Sequence, residues 1–411
     1  MWVAPAIGQP IDAQPANEPR MDPSTRRVSL GEALRLFRSN NLSLRRAQAQ
    51  VTAQRGEARQ TAAYPNPQLQ ASYEPIWRNG TRRSEAYVTL SQRIARSGRR
   101  YRIDAARARV GAVQARTQAD RLRLTFEVAA AYVRAATAEA RVRQFSRVAR
   151  VFRSADSSFA AREAAGEASG YAVRRIRLER ARYEQRLATA RRNVLTARRH
   201  LALLIVPEGA PSVAVKRLPQ ALPPPVTEDE ALRVALRQRP ELRRWQSRVD
   251  AQRAALQAAR HAVGPSPTVT AGYKDQSDGF VGVFLGVSLP LPLFNRHHGQ
   301  AAAASARLSA TQTTQMLVRR EIKNDVRQAH SAYASLRRQI QPMNQHLLSG
   351  AGDLLEIAQT SYAEGEMSLL ELLDATEAYH DAQIRTVNMR ADLWTRYFDV
   401  LRAMGHPLRM P

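Results

Sequence analysis

The 411 residues carry 63 Lys and Arg against 36 Asp and Glu, a formal net charge of +27, and no cysteine. With no thiol, the chain has no disulfide, no thiolate metal site, no cysteine nucleophile and no lipid-anchored cysteine. Hydrophobic residues make up 44%, enough for an ample core, yet no run of 18 apolar residues occurs, which excludes a transmembrane helix.

Residues 1–27 are Pro-rich and polar, without the charged start and apolar stretch of a signal peptide, and read as a flexible tail. Ser29 with Glu32 then forms a capping box at the start of a short helix. A second helix runs from about Leu42 to Ala63 and stops at Pro65, which lacks an amide donor and fixes φ. Here the hydrophobic period changes from helical to two. Gln68 to Glu74 alternates polar and apolar without a miss, and Ala86, Val88 and Leu90 alternate with Tyr87, Thr89 and Ser91. Strands are expected at about 68–76 and 85–93, joined through the turn formers Arg78-Asn79-Gly80-Thr81.

From Pro75 to Pro207 there is no proline, and small or apolar residues such as Ala105, Ala108, Ala112, Ala115, Leu122, Phe126 and Ala129 recur every three or four positions. A helix from about Arg99 to Glu163 would run about 95 Å, too long for a globular domain. Its Ala-rich stripe suits close, coiled-coil-like packing. Gly166 supplies the left-handed residue that ends it, and Ser169 caps a return helix reaching Leu204. A linker at 206–225, with Pro207, Pro211, Pro219 and Pro223-Pro224-Pro225, is expected to wrap outside the helices.

The pattern is then repeated at an offset of about 198 to 200 residues. Thr227 with Glu230 repeats the capping box and Pro265-Ser266-Pro267 repeats Pro65-Asn66-Pro67. Strands follow at about 268–275 and 280–289, a second long helix is interrupted by Pro342, and Gly365-Glu366-Met367-Ser368 repeats Gly166-Glu167-Ala168-Ser169. The return helix ends near Met404, leaving a tail at 406–411. In each half, the helix before the hairpin plus the return helix roughly matches the long helix, so two short helices can stack end to end beside one long one. Two β-hairpins of about nine residues per strand match tilted membrane strands but cannot close a barrel alone, so a membrane reading requires several subunits.

The basic residues are almost all Arg, since Lys occurs only at Lys216, Lys274 and Lys323, and they are scattered through the helices with Ala and Gln. A soluble Arg-rich coiled-coil scaffold binding nucleic acid or another polyanion would explain the charge and the helices. It leaves four alternating segments without a purpose. No glycine loop for phosphate, no histidine-carboxylate motif and no nucleophile context is present, so neither an enzyme nor a cofactor is indicated. His297-His298 are adjacent in a loop and do not face one metal site.

The duplicated order of short helix, hairpin, long helix and return helix, over about residues 28–405, resembles the outer-membrane efflux protein (TolC) family. Gly286-Val287-Ser288-Leu289-Pro290-Leu291-Pro292-Leu293-Phe294-Asn295-Arg296 is similar to its heavy-metal cation efflux branch. The resemblance implies a mainly α fold with a membrane β-barrel part: a homotrimer sharing one twelve-stranded barrel in the outer-membrane lipid, with an α-barrel tunnel across the periplasm. It implies a passive duct, not a catalyst, that docks a periplasmic adaptor and a proton-driven inner-membrane pump and binds no nucleic acid. It places adaptor docking at the turns Gly166, Glu167 and Ser169 and Gly365, Glu366 and Ser368. It places a cation-selective constriction at Glu371 and Asp374, where six carboxylates of a trimer would meet and raise one another's pKa. Ser368 with Glu371 is also a capping box, so Glu371 fits either a helix cap or the ring.

Overall fold

The computed structural model describes residues 27–78, 81–94, 98–206, 213–219, 221–262, 266–291, 294, 297–364 and 366–408. Residues 1–26 of the expected tail, the turn centre Asn79-Gly80 and the linker prolines Pro207 and Pro211 lie outside the described residues. In chain order the first half holds β1 (Arg27–Val28), α1 (Leu30–Asn40), α2 (Leu42–Ala62), β2 (Gln68–Arg78), β3 (Thr81–Arg93), α3 (Arg99–Ala164) and α4 (Gly170–Ile205). After β4 (Ala214–Val215) the second half holds α5 (Glu228–Gln238), α6 (Pro240–Arg260), β5 (Thr268–Gln276), β6 (Val281–Ser288), α7 (His298–Ala363) and α8 (Leu369–Met404).

The two long helices, α3 and α7, have 66 residues each, about 100 Å at ~1.5 Å per residue. At the sheet end α3 packs against α2 and α6, and α6 also against α7; at the turn end α3 packs against α4 and α8, and α8 also against α7. The chain is therefore a single layer four helices wide, in which stacked short helices alternate with long ones.

The stacking is held by specific bonds. Asn41 accepts from Leu44 N to cap α2 while its Nδ2 donates to Leu204 O at the end of α4, at 3.0 Å. Asn40 Nδ2 donates to Ile205 O. One asparagine thus satisfies an orphan amide of one helix and an orphan carbonyl of the next. In the second half Gly405 closes α8 at φ 70°, and a Cβ there would lie 2.8 Å from the Arg239 Cα at the α6 start. Only glycine combines that left-handed turn with so close an approach.

One face of the layer is covered. α1, α5 and the parallel pair β1–β4 pack over α3, α7 and the ends of α4 and α8, burying Val28, Leu34, Phe37, Val128, Tyr132, Leu201, Trp394 and Phe398. Each fully buried large apolar side chain stabilises by roughly 1.5–3 kcal/mol. Tyr132 OH donates to Lys216 O at 3.0 Å, and Tyr333 OH donates to Pro224 O at 2.8 Å, so both long helices hold the segment joining the halves. Glu139, buried under this segment, accepts from Arg198 and from Val215 N. At the start of each half, Val28 O and Val226 O face Tyr132 OH and His330 Nε2.

Several boundaries differ from the sequence expectation. Arg27 belongs to a strand instead of a tail, and the segment expected as a plain linker at 206–225 contributes β4 and the buried Val213. Leu408 is buried in the core, so the described part of 406–411 is not a free tail. β3 starts at Thr81 instead of 85, because ladder pairing continues through the polar Arg82-Arg83-Ser84 to an Arg78–Thr81 pair, where side-chain alternation gives no signal. β5 reaches Gln276, while β6 spans only Val281–Ser288. Ser29 makes both arms of its capping box, whereas Thr227 supplies the hydroxyl arm to Glu230 N. The helix α7 continues on both sides of Pro342.

Candidate functional site

Two regions carry the chemistry, one at each end of the layer. At the sheet end the strands pair antiparallel in the order β2-β3-β5-β6, so each hairpin joins the other through β3 and β5. Successive side chains alternate faces, and the register aligns the apolar set across all four strands. Leu69, Leu90, Ala271 and Leu285 form one row, and Ala71, Val88, Tyr273 and Val283 the next. This face is bare: Val283 and Leu285 are each 77% exposed.

The opposite face is polar and internally bonded. Glu85 pairs with Lys274 at 3.0 Å and accepts from Gln276 Nε2 and Tyr87 OH, while Ser91 and Thr270 hydroxyls meet at 3.0 Å. β2 and β6 lie at the sheet ends without a partner strand among the described residues. A bare apolar face, a bonded polar face and two open edges are what one arc of a membrane barrel presents before closure. No helix is long and apolar enough to cross a membrane among the described residues.

At the far end, α3 turns into α4 through Gly166 at φ 78°, with Glu167 N donating to Arg162 O, and Ser169 Oγ accepts from Ala172 N to cap α4. The α7–α8 turn is built alike: Glu366 N donates to Ser361 O, and Ser368 caps α8. Gly365 lies outside the described residues. Glu167, Ser169, Glu366 and Ser368 are exposed or half-buried at this tip.

Glu371 forms the capping box in full: it accepts from Ser368 N at 2.8 Å and Ser368 Oγ at 2.7 Å, while its own N donates to Ser368 Oγ. The Ser368 hydroxyl, followed by the Ser368 amide, holds the Glu371 carboxyl below its ordinary pKa. Within one chain this is opposite in direction to the rise expected from a crowded ring. Asp374 is exposed and lines, with Glu371, Glu179 and Glu377, a cavity of about 540 Å³ between the four helices. Glu179 is buried and paired with Arg175 and Arg182, and Arg182 also meets Glu377.

At about 100° per residue, Asp374 shares a stripe of α8 with Glu377, Asp381, Asn388 and Thr395, all rotated to one side of it by about 60° or less, whereas Glu371 sits about 60° to the other side. Asn388 and Thr395 line the uncovered side of the layer together with Arg134 and Arg141. Those arginines lie on the face of α3 opposite Tyr132 and its covering layer. The sequence reading singled out Glu371 and Asp374 and passed over Glu377 and Asp381, although their 3- and 7-residue spacings from Asp374 were legible.

It also passed over His380, which is fully buried between the Phe145 and Tyr183 rings, at 5.2 and 5.3 Å. Its Nε2 has no hydrogen-bond partner among the described residues, and burial pushes its pKa down to about 4. His297 starts α7 at φ 54°, and no cluster of three or more His, Cys, Asp or Glu side chains able to hold a metal occurs among the described residues.

This geometry was compared with known proteins. The family model described as outer membrane efflux protein matches residues 231–406, which is the second repeat. The cobalt-zinc-cadmium resistance protein CzcC of Cupriavidus metallidurans is 25% identical over 92% of this chain and 90% of its own length. The second half of the chain is similar to the outer membrane efflux protein family. Solved structures of channels share its fold at low identity. CusC superposes with a TM-score of 0.77 at 20% identity, covering 93% of each chain, and the Campylobacter jejuni CmeC outer membrane channel with 0.78 at 17% identity, covering 92% of this chain and 85% of its own.

Proposed function

We propose that the chain is the outer-membrane duct of a tripartite efflux assembly, exporting heavy-metal cations. Three copies close a twelve-stranded barrel through their β2 and β6 edges and a tunnel through their helices. The tip turns around Gly166, Glu167 and Ser169 and around Gly365, Glu366 and Ser368 dock a periplasmic adaptor. A proton-driven inner-membrane pump supplies the work. The observation that carries this reading is the four-stranded sheet with a bare apolar face and two open edges, standing on helices about 100 Å long. Neither edge can be satisfied in lipid except by another copy.

The cargo rests on the likeness to the cobalt-zinc-cadmium resistance protein, together with the Pro-Leu-Phe-Asn segment after β6. Asp374, with Glu371, forms the cation-selective constriction, and the α8 acidic stripe continues it inward. Protein extracted in detergent and reconstituted in planar bilayers is expected to form discrete, cation-preferring channels. Replacing Glu371 and Asp374 with Ala lowers that preference and the block by multivalent cations. Unchanged selectivity removes the constriction; a water-soluble monomer that forms no channel removes the duct.

A further inference from the structure

The charge of +27 is not used by a cation duct, and its placement is not uniform. A groove of about 610 Å³ between α2 and α3 is lined by Arg38, Arg45, Arg55 and Arg121 with Gln48 and Gln118, and by no carboxylate. A second groove, of about 710 Å³ between α6 and α7, is lined by Arg237, Arg243 and Arg319 with Gln246 and Gln315. Its remaining arginine, Arg239, is held by Glu241 and Asp325 and is structural.

The two grooves are the same place in the two repeats. At the 198-residue offset that relates Ser29 to Thr227, Arg45 falls on Arg243, Gln48 on Gln246 and Arg121 on Arg319. The rest of the two linings differs: at the same offset Arg38 falls on Leu236 and Gln118 on Met316. None of Arg45, Arg121, Arg243 and Arg319 forms an ion pair among the described residues, although many other arginines of the chain do. Arg45 has one long bond, to Ser39 O. Two seams have thus kept the same uncompensated Arg-Gln-Arg set.

Orientation decides what these grooves meet. Arg121 lies 11 residues before Tyr132 on α3, and Arg319 lies 11 before His330 on α7, a rotation of only about 20°. Tyr132 and His330 both point into the covering layer, so the grooves open on the covered, outer side of the tunnel wall, away from the lumen. Depth decides next. Arg45 is 17 residues from the sheet end of α2 at Ala62, about 25 Å below the barrel. The headgroup layer is only roughly 5–8 Å thick, so a lipid phosphate does not reach it.

We propose that the paired grooves are a duplicated attachment site for the acidic polymer of the cell wall, gripping its carboxylates from two seams of every subunit. Arginine forks take carboxylates two bonds at a time, and the flanking glutamine amides add donors for the glycan. The proposal rests on the duct reading, which runs the tunnel through the wall and supplies six such grooves per trimer, so that weak single contacts add through avidity.

The test is co-sedimentation of the full-length detergent-purified protein with isolated cell-wall sacculi, alongside anionic phosphatidylglycerol vesicles. The same preparations are checked for channel formation in bilayers. The quadruple variant R45Q/R121Q/R243Q/R319Q is expected to lose about tenfold or more in sacculus binding while keeping its conductance. A charge-matched variant, R150Q/R174Q/R191Q/R199Q, binds like the parent. Equal loss in both variants would mean unspecific charge attraction and overturn the site, as would an unchanged quadruple variant. Loss confined to vesicle binding would assign the grooves to lipid and also overturn it. A parent protein that conducts but does not sediment with sacculi refutes this inference alone; one that forms no channel takes down the duct reading and the inference with it.

Discussion

His380 offers the sharpest quantitative test, because one titration is separated from its background by a single substitution. The ring is enclosed by Phe145 of α3 and Tyr183 of α4, with Asp381 and Arg186 as the charges acting on it. Burial dominates and lowers its pKa from 6.5 to about 4. A base whose folded pKa is depressed is protonated first in the unfolded chain, so acid favours unfolding. The stabilisation is complete above about pH 6.5, drains away as pH falls toward 4, and is gone below. A shift of that size corresponds to about 3 kcal/mol per chain at ~1.4 kcal/mol per unit. Thermal unfolding of the detergent-purified protein, followed between pH 7.5 and 4, contains this term together with all the carboxylates. His380→Phe removes it and leaves the carboxylates in place. The expected result is that, between pH 6.5 and 4, the parent loses about 3 kcal/mol more stability than the variant, relative to their difference at pH 7.5. Parallel curves would show that the ring is hydrated or finds a partner in the assembled protein, and the burial argument would be wrong.

Other consequences are as direct. Gly405→Ala puts a Cβ against the Arg239 backbone at a positive φ and should cost on the order of 2 kcal/mol or more, read as a lowered melting temperature; a neutral result would mean that the α8–α6 junction yields. Leu285→Arg, on the bare face of β6, should destabilise the barrel by roughly 2–4 kcal/mol and reduce insertion into vesicles, whereas Ser91→Arg on the polar face should not; equal effects would reverse the assignment of the faces. Ser368→Ala removes the hydroxyl arm of the α8 cap and should cost about 1 kcal/mol, seen as faster amide exchange confined to the first turn of α8, with the Glu371 carboxyl pKa moving back toward its ordinary value.

Much of the architecture was legible in one dimension because it depends on local rules. Proline and glycine punctuate helices wherever they fall, so the bounds of the long helices at Arg99 and Gly166 follow from the chain itself. The alternation at Gln68 to Glu74 and Thr268 to Lys274 specifies strands with two unlike faces. The Ser368–Glu371 cap is a three-residue motif, and the structure forms it. The offset of about 198 to 200 residues disclosed the duplication.

Other features needed three dimensions, since they depend on contacts between residues far apart in the chain. Nothing near Val213 or Leu408 announces burial; both are buried because a covering layer assembled from both halves closes over them. His380 looks like any polar residue on an amphipathic helix, and only the approach of Phe145 and Tyr183 from two other helices strips it of water. Asp374 and Glu371 stand one turn apart in sequence, but the cap ties down one while helix phase turns the other toward the uncovered side. The arginines were visible as composition alone. That four of them line grooves between α2 and α3 and between α6 and α7 follows from how the helices pack, and no periodicity within a single helix records that choice.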